Sequence, residues 1–173
     1  ARVLHLDQTM RRWLGLDAVP ANVDRLLASL ASGWLRTAGD GPLFEALPAL
    51  VAELQARLPE AQKRSATAFD EAFAEVLLQQ AIAEVAREAA RSGHVDAFVC
   101  LRPYLQENPG ESELAQLARD LGRNPQAIEL ALASMRRRLR GRIEAALALW
   151  SGSPESRDTL RRHMRAALRE GTP

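Results

Sequence analysis

The sequence is poor in cysteine and contains no long apolar run. Among its 173 residues Cys100 is the only cysteine, which excludes an internal disulfide framework and favours a reducing compartment. No apolar run approaches the roughly 20 residues that a membrane-spanning helix needs, and no signal-peptide pattern opens the chain. We therefore expect a cytoplasmic protein without a membrane span.

Strand signals are scarce as well. Aromatic residues make up 5% of the chain, and β-branched residues never alternate with polar ones over a sustained stretch. Ala and Leu contribute about a third of the residues, and apolar positions recur at helical spacing. We predict an all-α fold, a helical bundle of about eight helices. A polar connector at 60–67 predicts a boundary between a helical accessory domain, residues 1–66, and a C-terminal domain, residues 67–173.

The groupings typical of catalytic and metal sites are missing from the sequence. His5, His94 and His163 stand apart from any His, Cys or carboxylate partner at metal-ligand spacing. Cys100 lies between Val99 and Leu101, where a buried and inert thiol is more common than a nucleophile. The sequence also has no glycine-rich phosphate loop and no nucleophile elbow. We expect neither enzyme activity nor a cofactor.

Lysine is nearly absent, since 22 of the 23 basic residues are arginines. The 22 acidic residues bring the net charge to +1, but the charges are unevenly placed. Residues 134–169 carry ten arginines and three acidic residues, a net charge of +7, so the remainder carries −6. This basic stripe predicts an anionic partner for one end of the chain. In the last helix, Leu160, Met164 and Leu168 share one side among arginines, so that helix could bind DNA, an acidic protein or a membrane surface, or its apolar stripe could pack on the body. Alternatively, these arginines form an exposed helix face that contacts only water and binds no partner.

Residues 111–143 carry the one motif with a mechanism. A short amphipathic helix ends at Gly122, Asn124 is a good N-cap, and Pro125 suits the first position of the next helix. That second helix has an apolar stripe at helical spacing, formed by Ile128, Leu132, Met135 and Leu139. Two such helices joined by a tight turn predict a helix-turn-helix, whose second helix lies in the DNA major groove.

The polar side of this helix pair predicts the DNA contacts. Arginines along the second helix would neutralise phosphates, whereas residues at its start would lie nearest the bases. The predicted phosphate contacts are Arg136, Arg137, Arg140 and Arg142. The predicted residues nearest the bases are Arg123, Asn124 and Gln126.

The stretch 114–140, with its Leu-Gly turn and arginine-rich exit helix, resembles the C-terminal helix-turn-helix of bacterial extracytoplasmic-function (ECF) sigma factors. The similarity extends upstream through Phe69-Asp70-Glu71 and the run from Phe98 to Leu105, and covers about residues 69–148. The resemblance implies recognition of the promoter minus-35 element and docking on the flap of the RNA polymerase β subunit. The promoter-melting domain of the family is not recognisable in residues 1–66.

Three positions in the second helix depart from the family pattern. Family members often place a basic residue, a His and an Arg where this sequence has Glu129, Ala133 and Ser134. Glu129 would repel phosphate, and Ala133 cannot hydrogen-bond a base. Two hypotheses follow. The first is a bacterial transcription regulator or sigma-like protein that binds DNA. The second is a protein–protein interaction module with a sigma-like fold, which binds polymerase, a regulatory partner or itself as a homo-oligomer.

Overall fold

A computed structural model of the chain describes residues 2–14, 28–29, 31–36, 44–57 and 65–170. These ranges contain helices and turns but no strand, which confirms the predicted all-α fold. The α-helices are α1 (Arg2–Leu14), α2 (Leu47–Arg57), α3 (Ala66–Arg91), α4 (Val95–Leu101), α5 (Glu111–Asp120), α6 (Pro125–Trp150) and α7 (Pro154–Glu170). Helical residues at 31–36 and the 3₁₀ helices Phe44–Ala46 and Arg102–Tyr104 accompany them.

Local signals in the sequence set the ends of the helices in the C-terminal half. The sequence predicts helices at about 111–121, 125–150 and 154–170, and α5, α6 and α7 agree within one residue. Gly93 ends α3 with a φ of +69°, a left-handed conformation that glycine adopts without strain. The His94 N–H then donates to the Ala89 carbonyl over 2.8 Å, as in a Schellman cap.

The chain divides into two compact units. The first comprises residues 1–78 and 146–167, and the second comprises residues 79–145 and 168–173. The divisions at 78 and 145 fall inside α3 and α6. The domain boundary predicted near residue 66 belongs to a connector whose residues 60–64 lie outside the described ranges, so that boundary stays a prediction.

Aromatic rings form the core of the first unit. Phe73 is fully buried, and its ring centroid lies 4.5 Å from that of His5, 5.1 Å from Trp150 and 5.8 Å from Phe44. The edge-to-face geometry of the first two pairs is the favoured one for rings. Trp13 is also buried, and its indole N–H donates to the carbonyl of Ser65. Trp13 and Trp150 are therefore core residues, which is the more common role of a single tryptophan.

A carboxylate holds the start of α7 in the same unit. One Glu45 oxygen accepts the backbone N–H groups of Gly152, at 2.7 Å, and Ser153, at 3.1 Å. An anion is favourable beside the free N–H groups at a helix start. Partial burial acts to raise the pKa of the Glu45 carboxyl, but the hydrogen bonds outweigh it and the pKa lies below its ordinary value of 4.5.

We expect Glu45→Gln to lower the free energy of unfolding by about 0.5–1 kcal/mol at neutral pH, because a charged acceptor becomes a neutral one. The folded-state pKa is depressed, so this contribution is complete above the unfolded pKa and disappears as the pH falls through the folded pKa. Denaturant unfolding of both proteins from about pH 7 to about pH 3 measures the difference. A difference that stays constant to the acid end would contradict the assignment.

Candidate nucleic-acid interface

Helices α5 and α6 meet at a turn whose backbone is fixed by hydrogen bonds. Gly122 has a φ of +59°, and its N–H donates to Arg119 while the Arg123 N–H donates to Ala118. This pair of bonds is a Schellman cap, which only glycine allows without strain. The Asn124 side-chain oxygen accepts the Ala127 N–H over 2.7 Å and caps α6, so this amide is already engaged in holding the turn.

The apolar side of the helix pair is buried in the core of the second unit. The stripe predicted on α6 is buried at all four positions, Ile128, Leu132, Met135 and Leu139. Leu117 and Ala118 of α5 join it, together with Val85 of α3 and with Phe98 and Leu101 of α4. Because this stripe is buried, the opposite side of α6 is the one that meets solvent.

The solvent side of α6 carries polar, apolar and cationic residues in turn. Gln126, Glu129 and Ala133 in its first half are exposed, and so are Arg137 and Arg140 near its middle. Leu130 lies among them with 67% of its surface exposed. This leucine is not among the residues predicted for the site, although it stands two positions after Ile128 and therefore off the buried stripe. We call Gln126, Glu129, Leu130, Ala133, Arg137 and Arg140 the exposed α6 face.

Arg136 is predicted as a phosphate contact, but its guanidinium is engaged inside the second unit. It donates to the side-chain oxygen of Asn108 and to the carbonyls of Tyr104 and Glu107 at 2.6–2.7 Å. These acceptors belong to the loop between α4 and α5. Arg136 therefore ties this loop to α6, a role that sequence spacing does not reveal.

Two further arginines of α6 pair with carboxylates on α3. Arg138 lies 3.3 Å from Glu88, and Arg142, another predicted phosphate contact, lies 3.5 Å from Glu84 and 3.6 Å from Glu88. The side chains of both arginines are about half exposed, so water screens these pairs. Part of the positive charge of α6 is thus neutralised within the second unit.

Three of the predicted site residues keep cationic side chains without a partner. Within the described ranges, Arg123, Arg137 and Arg140 form no side-chain hydrogen bond or ion pair, and all three are exposed. Arg137 and Arg140 lie three residues apart, so their side chains are neighbours on the exposed α6 face. Their guanidinium groups are therefore available to an external anion.

Helix α7 contributes arginines to the first unit. Its apolar residues Leu160 and Met164 are buried, which fits the alternative that this stripe packs inward. Arg162 donates to Thr159 over 3.2 Å, and Arg161 lies 2.9 Å from Asp158. These two contacts are local to the helix, and Arg162 and Arg165 are exposed.

Comparison with protein-family models, with curated proteins and with solved structures finds no match to this chain. No described helix is both long enough and apolar enough to cross a membrane. Among the described residues, no three or more His, Cys, Asp or Glu side chains form a group that could hold a metal ion.

The contacts of Arg136 and the exposure of Arg137 predict unequal effects on stability at adjacent positions. We expect Arg136→Ala to lower the free energy of unfolding by about 1–3 kcal/mol, since three acceptors in the 104–108 loop lose their donor. Arg137→Ala should change it by less than about 0.5 kcal/mol, because that side chain is exposed. Urea unfolding followed by circular dichroism measures both. Equal effects of the two substitutions would refute the structural role of Arg136.

Proposed function

We propose that this chain is a bacterial transcription-related protein that binds duplex DNA through α5, its turn and α6. The observation that carries the proposal is the group of exposed, unpaired arginines at 123, 137 and 140 on one helix pair. Guanidinium groups in this state can exchange water for phosphate without breaking an internal ion pair. The sequence resemblance to the C-terminal domain of ECF sigma factors supports the same choice of partner.

The contacts in this proposal are made chiefly to phosphates. Leu130 and Ala133, at the middle of the exposed α6 face, have no hydrogen-bonding side-chain group and can contact only apolar atoms such as the thymine methyl. Glu129, on the same face, repels phosphate. Binding is therefore weakly dependent on sequence and strongly dependent on salt.

Charge removal on the exposed α6 face tests the proposal. We expect Arg137→Ala and Arg140→Ala each to weaken binding to a random duplex and to reduce the slope of log K against log salt by about one unit. Arg87→Ala is the matched control, because Arg87 is exposed on α3 of the same unit and takes no part in the proposed contacts. Fluorescence anisotropy over a series of salt concentrations gives both quantities. Absence of binding at low salt, or silent α6 variants, would refute the proposal.

A second candidate function is a protein–protein interaction module, and the exposure of Leu130 favours it. An apolar side chain that is 67% exposed beside Ala133 provides an apolar centre, with Gln126, Glu129 and Arg137 as a polar rim. This is the arrangement of an interface anchor. Polymerase, a regulatory protein or a second copy of the chain would be the partner.

Leu130→Gln distinguishes the two functions. Under the interaction hypothesis, the substitution should weaken self-association or binding to core RNA polymerase by about tenfold or more, while Arg140→Ala leaves both intact. Under the DNA hypothesis, Leu130→Gln should change duplex affinity by less than about threefold, since it alters no charge. Sedimentation equilibrium and immobilised polymerase measure the protein contacts. An unchanged protein affinity in Leu130→Gln excludes Leu130 as an anchor.

A further inference from the structure

The second unit contains a cavity of about 250 Å³ lined by the C-terminal end of α3, by α4 and by α6. Its floor is apolar and comes from the core of that unit, where Val85, Phe98, Leu101 and Met135 are buried. Ala89, Ala97 and Ala131 also line it. Small side chains at these positions leave the space that larger ones would fill, so the cavity is built into the packing.

The rim of the cavity is polar and carries charge of one sign. It is formed by Ser92, His94, Arg123, Ser134 and Arg138. None of the lining residues is an aspartate or a glutamate. The Arg123 side chain has no partner within the described ranges, and the guanidinium of Arg138 makes one contact, to Glu88, of the five that its N–H groups allow. An anionic group at this rim would find donors and no carboxylate among the lining residues.

Two glycine turns bring these rim residues to the cavity. The left-handed turn at Gly93 ends α3 and places Ser92 and His94 on either side of it, at the rim. The corresponding turn at Gly122 is followed directly by Arg123. Since both turns are closed by backbone hydrogen bonds, the rim residues are held on fixed backbone before any ligand arrives.

We propose that this cavity binds a small amphiphilic anion, with a ring or short chain on the apolar floor and a carboxylate or phosphate group between Arg123 and Arg138. An apolar concave floor with a few convergent polar groups is the usual form of a small-molecule site. The volume of about 250 Å³ lies below the roughly 300–1,000 Å³ of sites for drug-sized ligands, so a ligand of one ring fits. Arginine favours planar, bidentate recognition of either head group.

Four single-ring compounds of similar size but different charge test whether the full chain binds an anion in preference to a neutral or cationic ligand. Benzoate and phenyl phosphate carry the two head groups, benzyl alcohol is uncharged and benzylamine is cationic. We expect saturable binding of at least one anion, by calorimetry and saturation-transfer NMR, and binding at least tenfold weaker for the alcohol and the amine. The anion that binds more tightly identifies the head group. Equal binding of all four probes, or no saturable binding of either anion at millimolar concentration, would overturn the proposal.

Variants locate the binding to this cavity. Arg123→Gln and Arg138→Gln should each weaken anion binding by about tenfold, and Ala131→Phe should abolish it by filling the floor. Arg87→Gln is the control, because Arg87 is exposed on α3 and does not line the cavity. Circular dichroism establishes that each variant is folded. If Ala131→Phe disturbs the fold, the two arginine variants locate the site instead. Arg123→Gln is the clearer of the two, because the Arg123 side chain has no partner within the described ranges. Anion binding that survives both arginine variants refutes the site.

These measurements use no nucleic acid, so their outcome does not decide the proposed DNA contacts, which share only Arg123 with this site. Failure of anion binding would leave the salt dependence of duplex binding untouched. Conversely, a chain that does not bind DNA could still bind the anion through the floor and rim described here.

Discussion

Burial of the α6 apolar stripe is the constraint on which the second unit depends. Ile128, Leu132, Met135 and Leu139 are placed every three or four residues, so they can leave water only together and on one side of the helix. Once they pack against α3, α4 and α5, the rotation of α6 about its own axis is set. That rotation turns Arg136 toward the 104–108 loop, Arg138 toward Glu88 and Arg137 toward solvent. Three consecutive arginines thereby acquire three different roles.

The difference between these arginines has a physical cause in what surrounds them. Arg136 donates to the carbonyls of Tyr104 and Glu107, and its removal would leave these acceptors without that donor. Arg138 and Arg142 form ion pairs with Glu84 and Glu88 of α3. The N···O distances are 3.3–3.6 Å, and water screens these pairs. Only arginines that point away from both the 104–108 loop and α3 remain open to an external anion. A count of arginines along the sequence therefore overstates the positive charge available to a partner.

The sequence predicts the described helices and the buried side of α6 well, because both follow from local spacing and from residues such as Asn124 and Gly122 that act over a single turn. It does not predict the role of Arg136, because the acceptors lie 28–32 residues earlier in the chain and meet it only in the folded unit. The cavity cannot be predicted from the sequence for the same reason, since its lining comes from three helices and two turns. Leu130 is a different case: its exposure follows from its offset to the stripe, and the pattern already contained that signal.

The arrangement of charge also limits what kind of DNA binding this helix pair can support. Residues 134–169 carry a net charge of +7, but Glu84 and Glu88 of α3 pair with Arg138 and Arg142 near the start of that segment. On the exposed α6 face, Arg137 and Arg140 lie near the middle of the helix, beyond Glu129 and Leu130 closer to its start. Base edges are reached by the start of a recognition helix, whereas phosphates flank the groove. A helix whose exposed positive charge begins only at Arg137 therefore attracts the backbone of a duplex and discriminates poorly among its bases. Leu130, nearer the start of the helix, is left for contacts of another kind.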